Sequence, residues 1–295
     1  MHSAIVSHPQ TLLSVDDVTA AARALGATGG GPGTARLLAV LVDPLAELDE
    51  VLSSLHGEPA LAVRVLKVAN SPFYHRGGTV GTLERAVQVL GLDAIRGICA
   101  ACCMDRLPMP RTPGGWDPQQ FRLHSLATAV AAMHLARHRA PARQAEAFIA
   151  GLLHDIGLVL LAKLRPQELA AVARQAAEAD ADTVSQLERR LIGRSHDECA
   201  ALLARAWSLP AWLADAVGHH HAPPTPLAAD TEPTVAALVQ AADAMAQHAG
   251  LGLVQSCGQA DARPGPGVGA SDELIDSLTA DLPEQVQALA AATAG

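Results

Sequence analysis

The chain has 295 residues, 49% of them apolar but only 2% aromatic. Its core must therefore be built largely from Ala, Leu and Val, small side chains that suit helix packed on helix. A net charge of −9 and a pI near 5.8 argue against a broad surface for phosphate backbones, so nucleic acid is not the expected partner. The five cysteines imply no disulfide framework. Neither a signal segment nor an uncharged run of membrane-span length is evident, so a cytoplasmic protein that engages no membrane is expected.

Residues 15–25 read as a helix, closed by Gly26 and the Gly-rich linker 29–33. Asp43-Pro44 is expected to open one helix and Glu58-Pro59 the next, where Leu61, Val65, Val68 and Ala69 recur at helical spacing. That helix stops at Asn70-Ser71-Pro72, residues that favour turns. Thr82 begins another, Gly91 ends it, and residues 92–106 follow as a further helix. Pro108, Pro110, Pro113, Gly114 and Gly115 mark a boundary.

Residues 117–140 form a long helix with His124, Ala127, Ala131 and Leu135 on one face. An apolar helical run over 147–157 holds His154-Asp155. Ser195 and Glu198 fit a capping box that puts His196 in the first turn of a helix reaching about Trp207. Pro210 restarts a helix that ends at His219-His220-His221, and Val235, Leu238, Ala242 and Met245 form the inner stripe of the next, with Asp243 beside it. Residues 258–269 read as a flexible linker before an amphipathic helix over 273–289, with Leu274, Leu278 and Leu282 on one side. No strand pattern or internal repeat is found. The expectation is an all-α chain of two helical subdomains: 1–33 a helix and linker, 34–112 the first subdomain, 113–250 the second, 251–295 a linker and C-terminal helix.

The chemistry centres on His154-Asp155. Burying an imidazole beside a carboxylate is costly unless hydrogen bonds, a metal ion or a phosphate satisfies both. A second pair, His196-Asp197, opens a helix, where Asp197 can be solvated. His124 precedes the first pair, and His196, His220, His221 and Asp243 follow it. That order resembles the HD superfamily of metal-dependent phosphohydrolases. The resemblance implies that His124, His154, Asp155 and Asp243 bind one ion, with His196, His220 and His221 serving a second and Asp155 bridging. Such nitrogen and oxygen ligands suit Fe, Mn, Zn or Ni, one or two ions in all. The alternative is a buried, hydrogen-bonded remnant of an enzyme ancestor.

A narrower resemblance lies in Glu58-Pro59-Ala60-Leu61, Val65-Leu66-Lys67-Val68-Ala69-Asn70-Ser71 and Leu83-Glu84-Arg85-Ala86-Val87-Gln88-Val89-Leu90-Gly91. It continues through Gly151-Leu152-Leu153-His154-Asp155-Ile156-Gly157, Glu188 to Gly193 with His196, Trp207-Ser208-Leu209-Pro210 and His220-His221. These resemble the HDOD domain from about residue 35 to 222, more loosely as far as Asp243. The resemblance implies a second subdomain built like an HD phosphohydrolase, a family-motif turn at Asn70 and Ser71, and a bacterial signalling role exerted through protein partners. Two departures weigh against turnover and leave no catalytic residue assigned. Leu158 stands where the enzymes often carry Lys, and Ala222-Pro223-Pro224-Thr225-Pro226 stands where the cyclic-dinucleotide enzymes carry Gly-Tyr-Pro. Phosphate chemistry without a cationic partner loses its main source of charge stabilisation. The alternative function is a metal-dependent phosphohydrolase or cyclic-dinucleotide phosphodiesterase, with a nucleotide or cyclic dinucleotide as ligand.

Other features read as structure. Cys99, Cys102 and Cys103 sit on an apolar helix and are expected in the core. His134 and His138, four apart, lie beside Arg137 and Arg139, as on a solvated helix end. Leu90-Gly91-Leu92 invites a helix-turn-helix reading, but the helix after it is apolar, with Arg96 its one basic residue.

Overall fold

The computed structural model describes residues 12–28, 34–71, 74, 78–107, 117–178, 183–223, 227, 231–253 and 267–293. Among these there are helices and no strands. In chain order they are α1 (Val15–Thr28), α2 (Thr34–Val42), α3 (Leu48–His56), α4 (Pro59–Ala69), α5 (Leu83–Leu90), α6 (Leu92–Met104), α7 (Pro118–Arg139) and α8 (Gln144–Leu153). There follow α9 (Gly157–Leu164), α10 (Pro166–Glu178), α11 (Val184–Leu191), α12 (His196–Ala206), α13 (Ala211–Gly218), α14 (Val235–Ala246) and α15 (Asp272–Thr293).

Local chemistry explains most of these boundaries. Thr82 caps α5 through its hydroxyl, Asp117 caps α7 through its carboxylate, and Pro59 and Pro118 sit in first turns where no N–H is needed. Gly91 takes φ +86° at the sharp corner between α5 and α6, a conformation that only glycine adopts without strain. Ser195 and Glu198 form the expected capping box of α12.

Two expectations are corrected. Asp43-Pro44 makes a turn rather than a helix start: Asp43 Oδ1 accepts from the Leu45 N–H at 2.9 Å and its carbonyl accepts from Ala46. This is the local bond by which Asp competes with helix, and α3 begins only at Leu48. His154-Asp155 does not lie inside one helix; residues 154–156 form a turn between α8 and α9. The linkers at 29–33 and 108–115 lie outside the described residues, as does most of 258–269. The end of the last, 267–269, is packed, with Val268 fully buried.

Helices α2 to α6 pack on one another around Leu38, Leu41, Leu55, Leu61, Val65, Ile95 and Ile98. The long α7 runs through the second group, against α8, α14 and α15. Helix α1 does not stay with its sequence neighbours but packs on α12, where Trp207 Nε1 donates to the Ala22 carbonyl at 2.7 Å. The stretch Pro141–Leu164 has the length and hydropathy of a membrane span, which was not expected, but 89% of its apolar window is buried by its neighbours. The three cysteines of α6 are buried free thiols, and burial pushes Cys102 up to about 11 and Cys103 to about 12.

Two glycines set the spacing around the His-Asp turn. A Cβ on Gly151 would lie 2.8 Å from the Thr128 carbonyl, so α8 can cross α7 closely only with glycine there. A Cβ on Gly157 would collide with the His196 carbonyl of α12. Gly157 thus brings the start of α9 against the start of α12, and with it Asp155 against His196.

Candidate metal centre

Five elements bring seven side chains to one place. His124 comes from the first half of α7, His154 and Asp155 from the α8–α9 turn, and His196 from the first residue of α12. His220 and His221 follow α13, and Asp243 lies on α14. Asp155 divides the cluster. Its Oδ2 lies 3.6 Å from His124 Nε2 and 3.4 Å from His154 Nε2, while its Oδ1 lies 3.3 Å from His196 Nε2 and 3.6 Å from His220 Nε2. Asp243 Oδ1 is 3.2 Å from His124 Nε2, and His221 Nε2 is 2.9 Å from His196 Nε2. In each of two groups, His124–His154–Asp155 and Asp155–His196–His220–His221, the ligand atoms lie within 4.8 Å of one another.

The other ring nitrogens are already committed. Nδ1 of His124 meets the Leu251 carbonyl at 3.1 Å, that of His154 the Gly151 carbonyl at 2.7 Å, and that of His220 the Val217 carbonyl at 2.7 Å. A carbonyl only accepts, so each Nδ1 donates to it, and in a neutral ring Nε2 is the nitrogen that keeps the lone pair. His124 and His154 then point two lone pairs at each other across 3.2 Å. A proton or a cation between them would relieve that opposition, and Asp243 Oδ1 and Asp155 Oδ2 stand close enough to share it. His220 Nε2, fully buried, has no hydrogen-bond partner. Imidazoles oriented by backbone carbonyls, a carboxylate facing two ways and an orphaned buried nitrogen are the donor set of a metal site, and these buried groups fit a metal ion.

The electrostatics are those of ionised acids among histidines. Burial opposes charge on Asp155, but His154, His220 and His196 hold it well below the usual carboxylate range. Asp243 is lowered in the same way, chiefly by His124. Burial pushes His154 down to about 4, and it also drives His221 well below its ordinary value. At His196 burial is outweighed by Glu188, which pushes the imidazole up to about 10. His124 is raised despite burial, mainly through Asp243.

Glu188 went unassigned by role in the sequence. It is fully buried on α11, and its Oε2 accepts from both the backbone N–H and the Nδ1 of His196. The eight-residue spacing from His196 crosses a loop, so no helical periodicity flags it. Gln247 was also missed; its amide donates to both oxygens of Asp243, at 3.0 and 3.1 Å. A further correction concerns Asp197, which is buried rather than solvated. Ser185 Oγ donates to its Oδ1 and Arg189 to its Oδ2, both at 3.2 Å.

The remaining candidates lie apart from this cluster. Asn70 straps the end of α4 to the chain that follows: its amide donates to the Leu66 and Val80 carbonyls, and its Oδ1 accepts from the Val80 N–H at 2.9 Å. Ser71 is buried beside it. His134 meets Gln285 Oε1 at 2.8 Å instead of chelating with His138, which is exposed. Position 158 is a buried leucine in α9, and among the described residues the ion-pair partners of Asp155 are all histidines.

The HDOD domain matches residues 33–223, well over half the chain. The chain belongs to the HDOD domain family. Asp243, α14 and α15 lie beyond the matched HDOD residues. An uncharacterized relative from Treponema pallidum (strain Nichols) is 23% identical over 182 residues, 61% of this chain. This chain spans about a third (34%) of that relative's length. An HDOD domain protein of unknown function from Geobacter sulfurreducens is 25% identical, with a TM-score of 0.66 over 94% of this chain and 98% of that one. A candidate phosphohydrolase from Shewanella amazonensis SB2B shares the fold at a TM-score of 0.69 and 23% identity, covering 94% and 98% of the two chains. A candidate signal transduction protein from Marinobacter aquaeolei VT8 does so at 0.66 and 23%, covering 89% of this chain and 58% of its own.

Proposed function

We propose that this HDOD protein is a bacterial, cytoplasmic signal-transduction module that acts through protein partners, and that its His/Asp cluster binds divalent metal as a structural or sensory site. The observation that carries the metal reading is the pair of carbonyl-tied histidines, His124 and His154, whose Nε2 atoms face each other at 3.2 Å. One ion would take His124, His154, Asp155 and Asp243, and a second would take His196, His220 and His221 with Asp155 between them. Fe, Mn, Zn or Ni suits this mixture of imidazole and carboxylate. The family membership and the likeness to a candidate signal transduction protein support the signalling role.

A bound ion would supply Lewis acidity and a water of lowered pKa. The chain's own residues do little to use it for phosphoryl transfer. Leu158 is apolar and buried, and six of the seven cluster side chains are buried, His221 alone being half-exposed. Stabilising the charge of a transferring phosphoryl group calls for cationic or hydrogen-bonding groups aimed at it. The second reading, a metal-dependent phosphohydrolase or cyclic-dinucleotide phosphodiesterase, is favoured by the two-sided carboxylate of Asp155, which suits a two-ion site.

Elemental analysis of the purified chain, with a phosphatase and phosphodiesterase panel and partner capture with and without metal, separates the two. The regulatory reading expects bound metal, partner affinity that changes between wild type and His154→Ala, and no turnover. Metal-dependent hydrolysis of a nucleotide, abolished by His154→Ala, makes the protein an enzyme and overturns it.

A further inference from the structure

Helix α14 ends in a single wide π turn, Gln247–Leu251, in which Gly250 takes φ +74°, a left-handed conformation that favours glycine. Helix and turn both lie beyond the matched HDOD residues. Two consecutive carbonyls at the end of the turn nevertheless fasten to α7. That of Leu251 meets Nδ1 of His124 at 3.1 Å, and that of Gly252 accepts from the Gln120 side-chain amide at 3.1 Å. Gln120 and His124 are four apart on α7, so one face of that helix offers both side chains to the turn.

Gln247 opens the turn. It lies four residues after Asp243, and its Nε2 donates to both oxygens of that carboxylate, at 3.0 and 3.1 Å. Pairs at this spacing are common on helix surfaces, but this carboxylate is buried, and His124 Nε2 stands 3.2 Å from its Oδ1. Turning the amide over would set Oε1 against two acceptor oxygens. Asp243 therefore fixes the orientation of the amide, although the buried Oε1 then has no hydrogen-bond partner among the described residues.

The ligands differ in how they are held. Backbone carbonyls fix His124, His154 and His220, Glu188 fixes His196, and Asp155 stands among four imidazoles. The carboxylate of Asp243 is held, among the described residues, by His124 on one side and by Gln247 on the other. Outer-shell donors of this kind orient a ligating carboxylate. An amide does so without a positive charge that would repel the ion.

We propose that Gln247 is a positioning residue of the metal centre, acting through Asp243 on the ion of His124, His154, Asp155 and Asp243 and having no part in the other. This rests on the metal-site reading above. Without the amide, the Asp243 carboxylate is free to turn away from His124, and the first ion loses one of its four ligands. The second ion, held by Asp155, His196, His220 and His221, takes no ligand from α14 or from the turn.

The test titrates the full-length chain, first stripped of metal, with Zn(II) in competition with a metal-binding dye. Gln247→Met keeps the length of the side chain and removes its donor. It is expected to weaken one ion by about 10- to 100-fold and to leave the other as in wild type. Asp243→Ala is expected to weaken the same ion. The double variant should then bind no more weakly than Asp243→Ala alone, because residues that act through one group are not additive. A side chain that merely supports the fold would weaken both ions together, or add its effect to that of Asp243→Ala, and either result overturns the proposal. Unchanged binding of every ion by Gln247→Met also overturns it, and leaves the metal-site reading standing. A wild type that binds no Zn(II) overturns that reading, and this inference with it.

Discussion

Glu188 and His196 are joined twice: one carboxylate oxygen accepts from the His196 backbone N–H at 2.7 Å and from its Nδ1 at 2.6 Å. The first bond caps α12 and the second aims Nε2 of His196 at Asp155. A carboxylate behind a ligating imidazole fixes its tautomer and raises its basicity. Glu188→Gln can preserve the shape while removing the charge, and is expected to lower affinity for Zn or Mn by about 10- to 100-fold. Competition titration against a metal-binding dye measures this; unchanged affinity would mean that His196 is not a ligand.

The same pair predicts a pH effect in metal-free protein. His196 is raised to about 10 by Glu188 against the pull of burial, from an unfolded value near 6.5. A raised folded pKa contributes stability that is complete below about pH 6.5 and is lost as pH rises toward 10. Wild type in chelator should therefore lose stability between about pH 6.5 and 8.5, before the thiols begin to titrate, by an amount on the order of a few kcal/mol. Glu188→Gln should show a flatter profile over that window. Parallel melting curves for the two proteins would count against the charge on His196.

Removing Asp155 should do more harm than removing Asp197. Asp155→Ala deletes the one carboxylate shared by four histidines, a loss expected at about 3–5 kcal/mol for a buried charged partner. Asp197 is buried too, but it bonds to Ser185 and the exposed Arg189. Asp197→Ala is expected to cost about 1–3 kcal/mol and to leave metal content unchanged. Equal melting temperatures and equal metal contents would show that the wrong pair had been chosen.

Gly157→Ala adds a methyl group where the His196 carbonyl already stands. The new atom must force α9 away from α12, and overpacking of this kind costs about 1–3 kcal/mol or more. Because it separates Asp155 from His196, metal bound through His196, His220 and His221 should be lost first. Metal stoichiometry beside a thermal melt tests this, and a stable variant with full metal content would show that the contact is not limiting.

Chelation should lower the melting temperature of wild type and leave His154→Ala nearly unmoved, because a ligand that binds only the folded state stabilises in proportion to the logarithm of its concentration over Kd. Scanning calorimetry with and without chelator provides the comparison. An equal shift in both proteins would place the metal elsewhere.

Sequence by itself determined the helical class, most helix starts and the order of the seven His and Asp residues. Those signals are local: Thr82, Asp117 and Ser195 cap the helices that follow them, and Leu61, Val65 and Val68 repeat at the helical period. Asp43-Pro44 was misread because an Asp side-chain bond to its own backbone and a helix N-terminus draw on the same residues. What only the tertiary structure decided depends on contacts between residues far apart in the chain. Among these are α1 lying on α12, Glu188 standing behind His196, Asp197 being buried, and α15 bridging two groups of helices. The direction of each imidazole was of the same kind. His154 could have turned either nitrogen to Asp155, and it was the buried Gly151 carbonyl in the last turn of α8 that took Nδ1 and left Nε2 for the cluster.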